Sequence, residues 1–276
     1  MRIAVTGASG RLGGQIVSLL ATQTDADVVA LSRRPTPSSK AVVTRTADYG
    51  DLSALRRCLV DVDTLVFVTS DGEGTRVLTH HLNVVSAARD CDVGHIVALS
   101  GVDADIESPF CYAVTNGYTE QALRDSGCGY SIVRASIFGE FFRHFLLPAR
   151  GTGRISIPAG SGRVGFVSRT DVGRCMSALA MCPPSRRCHD VTGQTALDMD
   201  AVASTAAAVW GRPVVYQPIT AAEHIAQMAP TEDPWWLYAY SSMFASIREQ
   251  RWDRATAEVE QLTGRAPQPL TGSLHE

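Results

Sequence analysis

The chain has 276 residues, 45% apolar and 19% charged, with a formal net charge of −3, an ordinary globular composition with a sizeable core. No basic run occurs, which argues against nucleic acid as a partner, and no apolar stretch reaches the ~18 residues of a membrane span. The start, "MRIAVTGASG", lacks the charged and apolar regions of an export signal, so a cytoplasmic protein is expected, with its seven cysteines reduced and mostly buried.

Apolar runs and helical periodicity then alternate. "RIAVTG" (2–7) predicts a strand, after which Leu12, Ile16, Leu19 and Leu20 share one helical face. "DVVALS" (27–32) predicts a second strand, "LSALRRCLV" (52–60) a short helix and "DTLVFVTS" (63–70) a third strand. A helix over 73–91 follows, with Val77, Leu78, Leu82, Val85 and Ala88 inward. "HIVALSGV" (95–102) predicts a fourth strand, "YTEQALRDSG" a helix and "YSIVRAS" (130–136) a fifth strand. Strands apolar throughout and separated by helices imply a parallel sheet covered on both faces. Beyond 150 come short strands around glycines in "GRISIPAGSGRVGFVSRTD", a helix in "DVGRCMSALAM", the strand "CHDVTG" and the helix "DMDAVASTAAAVWG", stopped by Gly211 and Pro213. From Pro218 onward the pattern is mainly helical, with aromatics bunched in "DPWWLYAYSSMF".

The stretch "VTGASGRLGG" (5–14) joins the first strand to the first helix, the context in which a glycine cluster binds a dinucleotide. Gly7 turns the chain, Gly10 removes a Cβ where pyrophosphate must approach, and Gly13 lets helix and strand pack closely. Ser9, Arg11 and Leu12 complete the loop at a helix N-terminus whose N–H groups suit phosphate. An acid closing the second strand would hold the ribose 2′-hydroxyl of NAD, whereas this strand closes with Arg33 and Arg34. Two solvated arginines at a strand end would look the same, but the missing carboxylate tips the reading to NADP(H), whose 2′-phosphate suits a guanidinium fork. Asp48 and Tyr49, in "ADYGD", lie where a loop would flank the adenine.

In family order, "VTGASGRLGG", "ADYGDLSAL", "NVVSAARDCDVGHIVALSG", "SPFCYAVTNGYTEQALRDSG", "YSIVRASIFGEFF", "GRVGFVSRTDVGRCMSALAM", "HDVTGQTAL" and "LTGRAPQPL" resemble the NmrA-like atypical short-chain dehydrogenases, particularly their NADPH-dependent quinone oxidoreductase branch. The resemblance implies a Rossmann-type doubly wound parallel sheet, with the NAD(P)-binding domain over 1–150. A smaller, mainly helical substrate lobe occupies 151–276, some of whose strands and helices return to the first domain. It implies a nicotinamide site lined by Thr69 and Ser70 and by Ala135, Ser136, Ile137 and Phe138, with Arg169 near the cleft. The chain departs from the family where "RASIFGEF" replaces a segment like "RNGWYxEN", with Ala135 and Phe141 in place of asparagines and Ile137 in place of tryptophan. Asn116 replaces a family histidine, which remodels the pocket towards apolar and weakens a quinone-specific assignment.

General short-chain dehydrogenase chemistry pairs a tyrosine acid with a lysine four residues later. Here the spacing is kept as Tyr112 and Asn116, but without the cation that strengthens the acid. Tyr112 is therefore the candidate acid, with a pocket-wall role as the alternative. Strand-end logic adds Ser100 to the substrate cleft, alongside Asn116, Phe138 and Phe141, with Trp235 and Trp236 as a roof. His80 and His81 point in different directions on a helix, no metal-ligand spacing is present, and Cys175 and Cys182 read as core. The reading is an NADPH-dependent oxidoreductase acting on a quinone-like, enone or aromatic carbonyl small molecule, with a homodimer left open. The alternative is a dinucleotide-binding redox sensor without turnover.

Overall fold

The computed structural model describes residues 1–34 and 42–275. By compactness the chain forms two units, the first from Met1–Ser100, Thr115–Arg134 and Val172–His189, the second from Gly101–Val114, Ala135–Asp171 and Asp190–Glu276. Where a linear boundary at 150 is expected, these units interleave along the chain, and the later stretch that returns to the first unit is 172–189.

In chain order, β1 (Arg2–Val5), α1 (Arg11–Gln23), β2 (Asp27–Ser32), β3 (Val42–Thr46), α2 (Leu52–Leu59), β4 (Thr64–Phe67), α3 (Gly74–Asp90) and β5 (His95–Gly101) come first. They are followed by α4 (Cys111–Asp125), β6 (Gly129–Ala135), α5 (Gly139–Leu146), α6 (Ala149–Thr152), β7 (Arg154–Ile155), α7 (Arg169–Ala180) and β8 (Cys188–Val191). The chain closes with α8 (Met199–Trp210), β9 (Val215–Tyr216), α9 (Ala221–Met228), α10 (Pro234–Arg248), α11 (Glu258–Thr263) and α12 (Leu270–Leu274). Among the described residues, no helix is long and apolar enough to cross a membrane.

The main sheet has seven strands in the order β3-β2-β1-β4-β5-β6-β8, and β1 pairs in parallel with both β2 and β4. The chain winds outward from β1 to β3, returns to the other side of β1 at β4, and winds outward again. The order reverses between β1 and β4, so the crevice beyond their C-terminal ends is where an open α/β sheet receives a ligand. Ala4, Val29, Leu65, Phe67 and Ile96 share one core with Leu55 and Leu59 of α2 and Val84, Val85 and Ala88 of α3. Burying each large side chain of this kind stabilises by about 1.5–3 kcal/mol. The second unit has its own core, built on Phe142, Phe145, Phe166, Met199, Val202, Phe244, Ile247 and Trp252.

Four expectations need correction. The strand β3 is unforeseen, because it is an edge strand without a continuous apolar run: Val43 is 54% exposed, and Arg45 reaches out to the Cys58 and Val60 carbonyls. On α3, Leu82 faces solvent and His81 faces the core, since Val77, His81, Val84, Val85 and Ala88 follow the i, i+4, i+7, i+8, i+11 stripe. Cys182 lies beyond the end of α7 and is exposed, so only Cys175 of that pair is core. All seven cysteines are free thiols, but only Cys58, Cys111 and Cys175 are buried.

Candidate active site

The loop between β1 and α1 is built by glycine geometry. Gly7 has φ of +63°, in the left-handed region, and its carbonyl accepts the Gly10 N–H at 2.8 Å. A Cβ on Gly13 would lie 2.3 Å from the Gly7 carbonyl oxygen and 2.9 Å from that of Thr6, so helix and strand are packed at a distance only glycine permits. The N-cap of α1 is Gly10, which offers no side-chain cap, and no acid occupies the first turn. By contrast Asp51, Asp198, Thr220 and Asp233 cap α2, α8, α9 and α10 through their side chains. The first intrahelical bond runs from Gly14 N–H to the Gly10 carbonyl, so the amides of Arg11, Leu12 and Gly13 precede the helical ladder. Ser9, Gly10 and Arg11 are exposed at this positive helix end, while Leu12 is buried. A narrow glycine turn, uncapped amides and no competing acid fit a dinucleotide pyrophosphate. Arg33 and Arg34 are exposed directly beyond β2, also within the first unit.

The exit of β4 is pinned at three backbone points. The Val68 N–H donates to Thr6 Oγ1 at 2.9 Å, the Tyr49 hydroxyl donates to the Val68 carbonyl at 2.7 Å, and the Ser70 N–H donates to His81 Nε2 at 3.1 Å. The Tyr49 ring stands edge-on to Phe67 with centroids 5.8 Å apart, and burial pushes its phenol well above the usual range. Its hydroxyl is thus occupied by the loop, which leaves the ring as the part available to an adenine. Asp48 folds back on its own turn, accepting the Gly50 N–H at 2.7 Å. Thr69 and Ser70 are half-buried, and the Ser70 Oγ is a buried atom without a hydrogen-bond partner. An orphaned hydroxyl beside the switch point is a second feature that fits a bound cofactor.

Ser100, at the end of β5, donates its hydroxyl to Glu120 Oε1 at 2.7 Å. Burial alone would raise the Glu120 carboxyl, but the Arg134 guanidinium, donating to both oxygens at 2.8 and 2.6 Å, holds it below the usual carboxylate range. Arg124 adds a further bond at 2.8 Å. With its proton directed at Glu120, Ser100 has lone pairs to offer a ligand, so it is placed as an acceptor rather than a donor. Asn116 lies half-buried one turn before Glu120 on α4. Lys40 is the chain's one lysine and lies outside the described residues.

In the second unit, Ala135 closes β6, Ser136 and Ile137 are buried directly beyond it, and Phe138 is the half-buried N-cap of α5. Ser136 Oγ is a further buried atom without a hydrogen-bond partner. Arg169 lays its guanidinium 5.7 Å from the centre of the Phe138 ring, and its backbone N–H donates to the Glu140 carboxylate. Tyr112 stands edge-on to Phe110 and to Trp235, with centroids 5.6 and 6.4 Å apart, and its oxygen accepts the Trp235 Nε1–H at 3.4 Å. Trp236 stacks on Tyr240 at 5.8 Å, and Tyr240 continues to Phe141 at 6.2 Å. Burial pushes the Tyr240 phenol up to about 12, so it remains a neutral ring. Tyr112 with Trp235 thus forms one half-buried aromatic group, and Phe141 with Tyr240 and Trp236 another, each with a member on α10.

Sequence reasoning missed Thr6, His81 and Glu120. A threonine directly before Gly7 is a usable sign of a loop anchor, while the stripe on α3 marks His81 as buried. The pairing of Glu120 with Arg134 has no local signal. Among the described residues, no group of three or more His, Cys, Asp or Glu side chains is placed to hold a metal ion.

A strand-order reversal with a glycine turn at the open end defines a dinucleotide-binding α/β protein, and comparison with known proteins agrees. The sequence profile of a family described as NAD(P)H-binding matches residues 7–183, and the chain belongs to that family. It is 29% identical over 232 residues to quinone oxidoreductase 2 of Escherichia coli (strain K12), covering 82% of this chain and 80% of that one. The NADPH complex of the NADPH-dependent quinone oxidoreductase QOR2 from Escherichia coli superposes with a TM-score of 0.91 at 25% identity, covering 99% of this chain and 98% of that one. Triphenylmethane reductase from Citrobacter sp., complexed with NADP(H), gives 0.89 at 26% identity over the same shares.

Proposed function

We propose that this chain is an NADPH-dependent oxidoreductase that reduces a flat, largely apolar carbonyl compound: a quinone, an enone or an aromatic ketone. The observation that carries the reading is the presence of the two aromatic groups holding Tyr112, Phe141, Trp235 and Trp236 in a chain of the NAD(P)H-binding family. The quinone and dye reductases named above support an oxidoreductase, and their NADPH and NADP(H) complexes support the cofactor. When bound, the dihydronicotinamide supplies a hydride. Gly7, Gly10 and Gly13 would admit its pyrophosphate, and Arg33 with Arg34 would pair with the 2′-phosphate. Asp48 and the Tyr49 ring would flank the adenine. Within the first unit, Thr69 and Ser70 would line the nicotinamide end.

The substrate carbonyl gains one hydride at carbon or oxygen and one proton, and Tyr112 is the candidate donor of that proton. Positioning supplies much of the rate without a strong acid. The aromatic rings exclude water and hold the substrate by area, with ~200 Å² of buried apolar surface contributing about 5 kcal/mol before ordering costs.

One observation favours a second reading, a dinucleotide-binding redox sensor. Asn116 stands where the lysine of a proton-donating pair would be, and the chain has no other lysine to replace it besides Lys40. NADPH consumption against a panel of quinones, enones and aromatic ketones decides between the two. Turnover of at least one class supports the reductase, whereas silence across the panel with NADPH binding intact supports the sensor.

A further inference from the structure

The loop that leaves β4 lies beside the switch point and carries Thr69 and Ser70. Two of its pins, Thr6 and Tyr49, hold Val68 from the β1 and β3 sides. The third comes from a helix: His81 of α3, 1% exposed, lies under the loop and takes the Ser70 N–H on Nε2. A nitrogen that accepts a peptide N–H carries no proton, so the ring is neutral with its hydrogen on Nδ1. That Nδ1–H is donated to Thr119 Oγ1 at 2.9 Å, and Thr119 passes its own hydroxyl proton to the Thr115 carbonyl one turn earlier on α4, at 2.7 Å. The chain of donors runs in one direction, from Ser70 through His81 and Thr119 to the α4 backbone, and each group in it has its role set by the next. Phe67 stands edge-on against the imidazole at 5.4 Å, fixing the ring plane.

We infer that His81 is a positioning residue for the cofactor site. Its Nε2, oriented by Thr119, fixes the Ser70 peptide so that the unpartnered Ser70 Oγ is presented to the dinucleotide. The inference rests on the cofactor reading above and adds a residue to it. Burial pushes the imidazole down to about 4, which keeps the accepting form in place at neutral pH. Among the described residues packed against it, Phe67 and Thr119 carry no charge, and His80 is the titratable group that acts on it. Losing Nε2 removes the acceptor of the Ser70 N–H, while Thr6 and Tyr49 still hold Val68.

His81→Phe keeps a ring against Phe67 and removes both hydrogen bonds, and His81→Gln returns an acceptor and a donor. Nitrogen NMR of the ligand-free wild-type chain should show His81 as the Nδ1–H tautomer. Amide exchange at Ser70 should be at least tenfold faster in His81→Phe, and its NADPH Kd about tenfold higher, with His81→Gln recovering both to within about threefold. Should His81→Phe fail to fold, Thr119→Val carries the same test, because the imidazole loses the acceptor that orients it. An Nε2–H tautomer, or a folded His81→Phe with wild-type exchange or NADPH affinity, overturns the inference. Failure of the wild-type chain to bind NADPH overturns the cofactor reading instead, while the exchange and tautomer results still decide whether His81 holds the loop.

Discussion

Gly13 is the residue at which the phosphate loop tolerates least. A methyl group there would meet the Gly7 carbonyl at 2.3 Å, and both partners are backbone. Gly13→Ala should therefore separate α1 from β1, lowering stability by about 1–3 kcal/mol, the usual range for overpacking. It should also weaken NADPH binding by more than tenfold, and thermal unfolding with a parallel NADPH titration checks both. Such residues are legible in sequence because glycine spacing reports a backbone requirement directly. Arg33 is legible too, since its meaning follows from its place after β2. His81 and Glu120 are not, because their roles depend on Ser70, Thr119, Ser100 and Arg134, which are brought to them only by folding. Residue spacing within one helix carries no trace of those partners.

At the scale of elements, α10 is the one whose function is most exposed to test. Asp233 caps it, Pro234 opens it, and its first turns present Trp235, Trp236 and Tyr240 to Tyr112 and Phe141. Trp236→Ala should raise KM for an aromatic substrate several-fold while leaving NADPH affinity near the wild-type value. Tyr112→Phe separates acid from wall: a kcat lowered a hundredfold or more marks Tyr112 as the proton donor, and survival within a few-fold marks it as wall. Steady-state kinetics on both variants gives the answer. The central strands and long helices are readable from sequence because burial on both faces leaves continuous apolar runs. The edge strand β3 escapes that logic, being half-exposed and interrupted by Arg45. The helix α5 escapes it differently, since "GEFFRHFL" follows directly on the loop expected to line the cofactor and supplies only two turns of pattern.

For the whole molecule, buried histidines shape the response to acid, because burial lowers His81, His95 and His224. Burial pushes both His81 and His95 down to about 4 from an unfolded value near 6.5. Between those limits the unfolded chain binds more protons than the folded one, so stability is full above about pH 6.5 and declines as pH falls towards 4. Each shift corresponds to about 3 kcal/mol when fully developed. Denaturant unfolding at a series of pH values from 7.5 to 4.5 should show this decline, and His81→Phe should make it shallower. The larger account depends on which dinucleotide the molecule takes. Glycine turn, open α1 terminus and family membership all admit a dinucleotide, and among the described residues Arg33 and Arg34 are the ones proposed to distinguish a 2′-phosphate from a 2′-hydroxyl. The direct measurement is a calorimetric titration of NADPH and NADH into the wild-type chain and into Arg33→Ala. NADPH should bind the wild type at least tenfold more tightly than NADH, with that preference largely lost in the variant; equal affinity for the two in the wild type would refute the assignment of a 2′-phosphate site.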